Sequence, residues 1–200
     1  PAGPSEGMVL ADNSARAEFV AADLLSQAEH GDDSQAILVC RTERFARQVT
    51  RAVEEQIRYL SRGEAIRNSL ANSRIVLFDE EYKQIAFANA YAPEHLIVSM
   101  RDAWGIAAKI TAAGSVFIGN YSPESAGDYA SGTNHTLPTG GWARACSGVN
   151  VDSFMRKITF QELTRDGLDA LAPAITAMAE AEGLDAHANA VRVRMKGGIL

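Results

Sequence analysis

The feature that most restricts this chain is a recurrence. Five short apolar runs, GMVLA (7–11), ILVC (37–40), RIVLF (74–78), HLIVS (95–99) and SVFIG (115–119), are separated by longer stretches with helical periodicity. Runs of four or five residues without polar alternation suit strands buried on both faces, and strands joined through helices pair in parallel by crossovers. The pattern predicts an α/β fold: a mostly parallel, incomplete Rossmann-like sheet with helices on both faces.

Between the runs, Asp12, Asn13 and Ser14 can cap a helix over Ala15–His30 that carries Val20, Leu24 and Gln27 on one face and is closed by Gly31. Further helices are expected over Glu43–Leu60, Glu64–Leu70, Tyr82–Ala90 and Asp102–Ile110. From Gly119 to Gly148 the chain turns rich in Gly, Ser, Asn, Tyr and Pro, which is long for a loop and points to function. After Val149–Gln161, the tail from Glu162 is nearly all helix-forming, with breaks expected at Gly167, Pro173 and Gly183. Two domains follow: an α/β portion over 1–148 and a small, mainly helical appendage over 149–200.

Charge and composition narrow the partners. A net charge of −6 argues against nucleic acid or an anionic membrane surface. No apolar run reaches the length of a membrane span, and PAGPSEGMVL lacks the basic and hydrophobic regions of a signal peptide, so a soluble, cytoplasmic protein is expected. Cys40 and Cys146 form no CxxC pair and are expected as buried free thiols. A chain that starts at Pro1 reads as a piece of a longer one.

The stretch AYAPEHL (90–96) sets Glu94 and His95 behind a proline, between two apolar runs. Pro93 biases Ala92 away from the helical region, so a helix should stop there and the chain re-enter the core at Leu96. Read locally, Glu94 and His95 are solvated turn residues.

The four histidines occur in SQAEHG (His30), APEHL (His95), SGTNHTLP (His135) and LDAHAN (His187). His30 complements a helix C-terminus on its own account. Yet Gln27, one turn earlier, continues the Val20–Leu24 stripe, and a stripe that turns from apolar to Gln and His fits the rim of a polar pocket. His187, read locally, is an exposed helical residue. If Gln27, His30, Asp128 and His187 converged, they would offer two nitrogens and two oxygens with one negative charge, a set suited to zinc, with manganese or cobalt also fitting.

The segments AGPSE, ADLLSQAEHG, NAYAPEHL, AGSVFIGNYSPESAGDYASGTNHTLPT, FMRKITFQELT and AEAEGLDAHANAV stand in the order of the motifs of histidinol dehydrogenases, which the chain resembles from residue 2 to about residue 194. The closing MKGGIL departs from that resemblance. Members of that family are more than twice this length, so the resemblance implies a C-terminal half, without the N-terminal half and its second Rossmann-like domain. It makes Gln27, His30, Asp128 and His187 zinc ligands and Glu94 and His95 the catalytic acid/base pair. Ser5, His135 and Glu182 join the ligands around L-histidinol. Glu182 and His187 are implied to reach the neighbouring subunit of a homodimer, so that each site is shared.

NAD is implied by the resemblance alone, because the sixteen glycines form no GxGxxG. The implied reaction is the zinc-dependent, NAD-linked oxidation of L-histidinol to L-histidine through histidinal, with the isolated fragment inactive. Two further readings remain at this level: a zinc hydrolase in which Glu94 activates water, and a zinc-binding dimerisation module without activity.

Overall fold

The computed structural model describes residues 3–195, so of MKGGIL only Met195 lies within the described residues. The chain divides into two compact units, Pro1–Met155 and Arg156–Leu200.

The first unit alternates strand and helix: β1 (Glu6–Ala11), α1 (Ala17–Ala28), β2 (Gln35–Cys40), α2 (Glu43–Gln56), α3 (Gly63–Asn72), β3 (Arg74–Leu77), α4 (Glu81–Tyr91), β4 (His95–Ser99), α5 (Ala103–Ala107), β5 (Ser115–Ile118) and α6 (Glu124–Tyr129). The sheet runs β3-β2-β1-β4-β5 with every pair parallel, as the strand–helix alternation requires.

Strand residues alternate between two cores. On one face Val9, Ala11, Leu38, Cys40, Ile97 and Phe117 pack against Val20, Ala21 and Leu24 of α1 and Phe45, Ala46 and Val49 of α2. On the other, Met8, Leu10, Ile37, Val39, Leu96 and Val98 meet Ile85 and Ala88 of α4 and Ile106 of α5. Because both faces of the central strands are covered, their middle positions are apolar on both sides, and this is why they are visible in the sequence as short apolar runs. β3 is the edge strand, with Ile75 and Leu77 47% and 46% exposed.

Several element limits differ from expectation. α1 starts at Ala17 rather than Ala15, because Asp12 does not cap it. The Asp12 carboxylate accepts the Ser14 N–H (2.8 Å) and O–H and the Arg101 N–H (3.1 Å) instead. α2 ends at Gln56 and passes into a 3₁₀ turn over Ile57–Tyr59. α5 is five residues long, not the nine expected over Asp102–Ile110. The presumed loop over 119–148 contains α6, despite Gly127 within it. Cys40 is buried, but Cys146 is exposed.

The second unit is a pair of helices, α7 (Arg165–Ala181) and α8 (Asp185–Met195), which bury Ala179, Ala188 and Val191. α7 runs through both Gly167 and Pro173. Gly167 sits in its first turn, where its N–H is free to take the Thr164 Oγ1 cap (3.1 Å), and Pro173 costs one backbone hydrogen bond without ending the helix. The break comes at Gly183, at φ +73°: its N–H bonds Glu180 O and the Leu184 N–H bonds Ala179 O, the paired closure that needs a left-handed residue. Among the described residues no helix is long and apolar enough to cross a membrane.

Candidate metal and catalytic site

α4 is capped by Ala92, whose left-handed backbone (φ 57°, ψ 63°) turns the chain sharply so that Pro93 and Glu94 lead directly into β4. The backbone of this turn is tied to β5, since the Gly114 and Ser115 N–H groups donate to Pro93 O and Glu94 O at 2.9 Å. Consequently Glu94 and His95 are not solvated turn residues. They are 6% and 2% exposed, and the chain is back in the core from Ala92, with β4 starting at His95. Glu94 Oε2 accepts the Ser5 hydroxyl at 2.5 Å and the Glu6 N–H at 3.3 Å, two donors suited to a carboxylate.

α1 delivers its C-terminal end against the same corner. Gln27 is 1% exposed, and its Oε1 lies 3.2 Å from His95 Nδ1. An amide oxygen only accepts, so Nδ1 carries the hydrogen in this contact, and in the neutral ring Nε2 is then the accepting nitrogen. Space for the amide comes from Gly7, the register partner of His95 on β1: a Cβ at Gly7 would stand 2.7 Å from Gln27 Oε1 and 2.8 Å from its Cγ. The His95 ring lies between Phe117 (centroids 6.0 Å apart) and the His30 ring, which stacks nearly parallel to it at 6.4 Å.

α6 supplies the acids. Gly127 lets it lie close on β5, since a Cβ there would come within 2.5 Å of the Phe117 ring. Glu124 and Asp128, four residues apart, fall on one helix face. Glu124 Oε1 is 3.0 Å from His30 Nε2 and 3.8 Å from His95 Nδ1, and Asp128 Oδ1 is 3.9 Å from His95 Nε2. The hydrogen bond to Glu124 raises the His30 pKa against the opposing effect of burial, with Asp128 and Glu94 adding to the rise. Burial, helped by the Glu124 charge, pushes Asp23 on α1 up to about 7. Among the described residues no Lys or Arg pairs with Glu94, Glu124 or Asp128; their ionic partners are His30 and His95.

Three buried polar atoms in this cluster have no hydrogen-bond partner: Gln27 Nε2, His95 Nε2 and Glu124 Oε2. Unsatisfied buried groups are costly and concentrate where a ligand completes them. His30, Glu124 and Asp128 each offer a ligand atom, all within 4.8 Å of one another. Two acids paired with no Lys or Arg, an imidazole and an orphaned carboxylate oxygen together fit a divalent cation.

Of the residues singled out in the sequence, Gln27, His30, Glu94, His95 and Asp128 come together here, and Ser5 joins them through Glu94. His135 is exposed and lines a cleft of about 820 Å³ with Asn134 and with Gly114 and Ser115, the residues bonded to the backbone of Pro93 and Glu94. Glu182 and His187 belong to the second unit, where Glu182 caps α7 and His187 is exposed in the first turn of α8. Sequence reasoning missed Glu124 and Gly7. The Glu124/Asp128 spacing behind Pro123 was the available signal for the first. For Gly7 nothing but its place at the head of an apolar run was visible.

The cluster sits at the amino ends of the strands: His95 opens β4, Ser115 opens β5 and Ser5 precedes β1. In doubly wound sheets a dinucleotide lies at the carboxyl ends, on the turn after the first strand. Here that turn holds no glycine, and the Asp12 carboxylate turns inward onto Ser14 and Arg101. This turn does not fit a pyrophosphate.

The sequence model of one family, histidinol dehydrogenase, matches residues 1–195. Proteins named histidinol dehydrogenase are similar throughout: that of Bacteroides fragilis is 58% identical over 98% of this chain and 46% of its own length. The corresponding protein of Aliivibrio fischeri is 52% identical over 98% of this chain and 45% of its own length. A crystal structure of histidinol dehydrogenase from Elizabethkingia anophelis superposes with a TM-score of 0.90 at 56% identity, over 98% of this chain and 45% of that one. The chain thus spans a little under half the length of the relatives it matches.

Proposed function

The chain belongs to the histidinol dehydrogenase family, and from that premise we propose that it carries the metal and acid/base side of a site that oxidises L-histidinol to L-histidine through histidinal. The observation that supports this most is the convergence of His30, Asp128 and Gln27 on the buried Glu94–His95 pair, with polar atoms left unpartnered around it. Gln27, His30 and Asp128, with His187 from a neighbouring subunit of a homodimer, would hold zinc. When bound, zinc would anchor the amine and imidazole of the substrate and so fix the reacting carbon. Ser5, His135 and Glu182 are proposed to line the substrate beside these ligands.

Two oxidations require two proton acceptors used in turn. His95 is held by Gln27 in the tautomer whose Nε2 can accept, so it takes the proton of the alcohol as the carbon gives up its hydride. Glu94 has Oε2 held by Ser5 and Glu6, which leaves Oε1 to take a proton from the water that adds to the aldehyde carbon. Hydration gives the gem-diol, which passes a second hydride to a second molecule of the hydride acceptor while His95, having released its first proton, takes the hydroxyl proton, and the acid results. Because the two residues are adjacent in sequence and lie in one buried corner, each step finds its acceptor without rebuilding the site. The hydride acceptor implied by the family, NAD, is assigned to the part of the longer protein outside this chain, since the turn after β1 does not fit it. On this reading the 200 residues alone bind metal but do not oxidise histidinol.

The test is histidinol-dependent NADH formation by a protein of the relatives' full length that carries this sequence. Activity that chelation abolishes and zinc restores supports the proposal. A protein that binds zinc tightly yet produces no NADH from histidinol would overturn it in favour of a hydrolytic or purely structural site.

A further inference from the structure

Glu6 opens β1, and apart from Gly7 the rest of that strand is apolar. It is an acid only 6% exposed, and among the described residues its charge meets no Lys or Arg. Burying an acid is costly unless its oxygens are used. A loop uses them. The Gly141 N–H donates to Glu6 Oε1 at 3.4 Å, and while burial raises the Glu6 pKa, with Glu94 adding to the rise, the Gly141 and Gly140 N–H groups oppose it. Both glycines take the left-handed backbone that a side chain would strain, at φ +63° and +74°.

The same loop is tied at two further points. Thr139, itself buried, accepts the Gly3 N–H through Oγ1 at 3.1 Å and donates to Gly3 O at 3.3 Å, and the Arg144 guanidinium donates to Ala90 O. A cavity of about 450 Å³, lined by Glu6, Phe87, Tyr91 and Arg144, lies against the glycine pair, so polar bonds rather than close packing hold the loop in place.

What these ties surround is Glu94. Its Oε2 takes the Ser5 hydroxyl at 2.5 Å and the Glu6 N–H at 3.3 Å, so residues 3–6 carry both the donors that orient Glu94 and two of the anchors of the loop. Ala90, the third anchor, lies just ahead of Ala92, whose left-handed turn leads to Glu94. Glu94 Oε1, the oxygen that takes the water proton, keeps its aim only while Oε2 is held.

We propose that Glu6 is a positioning residue for Glu94: by holding Gly140 and Gly141 it braces residues 3–6, and so keeps the Ser5 hydroxyl and its own N–H on Glu94 Oε2 while water adds to the aldehyde. The inference rests on the reading that Glu94 takes the proton of that water. It concerns the second oxidation alone. Without the brace, water adds slowly, and the aldehyde leaves unhydrated after giving up one hydride to NAD instead of two.

The test uses a protein of the relatives' full length that carries this sequence. Histidinol is oxidised with semicarbazide present to capture any aldehyde that escapes, and NADH formed per histidinol consumed is counted. The parent should give a ratio near two, one for each oxidation. Glu6→Ala should give a ratio near one, with NADH formation from added histidinal slowed at least about tenfold and the first oxidation within about threefold of the parent. Glu6→Gln keeps an oxygen that can accept from the glycine N–H groups and should return the ratio to near two. Zinc content should match the parent's in both. The inference is overturned if Glu6→Ala keeps the parent's ratio and rate with histidinal, if it loses zinc, or if both oxidations fall by the same factor, as a merely structural role would give. Glu94→Gln separates the inference from its premise. If Glu94→Gln slows histidinal oxidation and Glu6→Ala does not, only the brace fails; if Glu94→Gln has no effect on it, the reading of Glu94 fails as well. Thr139→Val, which removes the neighbouring tie, carries the same test if Glu6→Ala does not fold.

Discussion

Gly7→Ala is a one-methyl change in the middle of a buried strand, and its consequence can be worked out from distances. The new Cβ would sit 2.7 Å from Gln27 Oε1, 2.8 Å from Cγ and 3.0 Å from Cδ, inside the contact limit for all three. The backbone of β1 cannot move away, because it pairs on both sides, with Gln35–Cys40 and with His95–Ser99. Gln27 therefore has to yield, and with it goes the hydrogen bond to His95 Nδ1. Overpacking of this kind costs about 1–3 kcal/mol, and a lost buried hydrogen bond adds roughly 0.5–1.5. Alanine returns about 0.5–1 kcal/mol by restricting the unfolded chain. The net expectation is a loss of about 1–3 kcal/mol in urea unfolding of the metal-free chain, with metal affinity lowered at least tenfold. The double variant Gly7→Ala/Gln27→Ala provides the check on cause. Removing the obstructing amide should make Gly7→Ala nearly neutral for stability, a coupling that a double-mutant cycle reads directly. The reasoning is refuted if Gly7→Ala is as stable as the parent, or if its cost persists unchanged in the Gln27→Ala background.

Stability of the metal-free chain should fall as pH rises. His30, raised by its bond to Glu124, stabilises the fold fully below its ordinary pKa and loses that contribution as pH climbs through the raised value. Asp23, pushed up to about 7, imposes no cost below the usual carboxylate range and its full cost above about 7. Asp23→Asn should thus gain about 1–2 kcal/mol at pH 8 and almost nothing at pH 4, by urea unfolding in the presence of a chelator; an equal effect at both values would contradict it. Cys40 is buried, with its thiol pushed up by burial, while Cys146 is exposed. A disulfide reagent should therefore titrate one thiol in the folded chain and two in denaturant, and two fast-reacting thiols in the folded state would contradict the structure.

What was legible in the sequence follows from how each feature is encoded. The parallel strands were visible because burial on both faces makes the middle of the central ones apolar on both sides, and the helices between them because their faces are mixed. The stripe from Val20 through Leu24 to Gln27 correctly pointed a polar end at the core. By contrast, the burial of Glu94 and His95 depended on Ala92 taking a left-handed turn and on β5 tying down the backbone behind it, and both are tertiary facts. α6 was hidden by Gly127 and the small residues around it, which read as loop although the glycine is there for close packing on Phe117. In α7, Gly167 and Pro173 looked like breaks because propensity ignores position: a first-turn glycine offers its N–H to a cap, and one proline forfeits a single bond. Glu124 was not singled out because nothing local marks it, and its burial and unpaired oxygen are seen only in the fold.

The central claim is that His95 takes protons in a reaction that a neighbouring metal site orients, and His95→Asn tests it most directly in the longer protein that carries this sequence. Histidinol-dependent NADH formation should fall by about 10²–10⁴-fold, while zinc content per subunit stays at the parent's value. Activity within a few-fold of the parent, or loss of zinc as complete as in His30→Asn, would contradict the account.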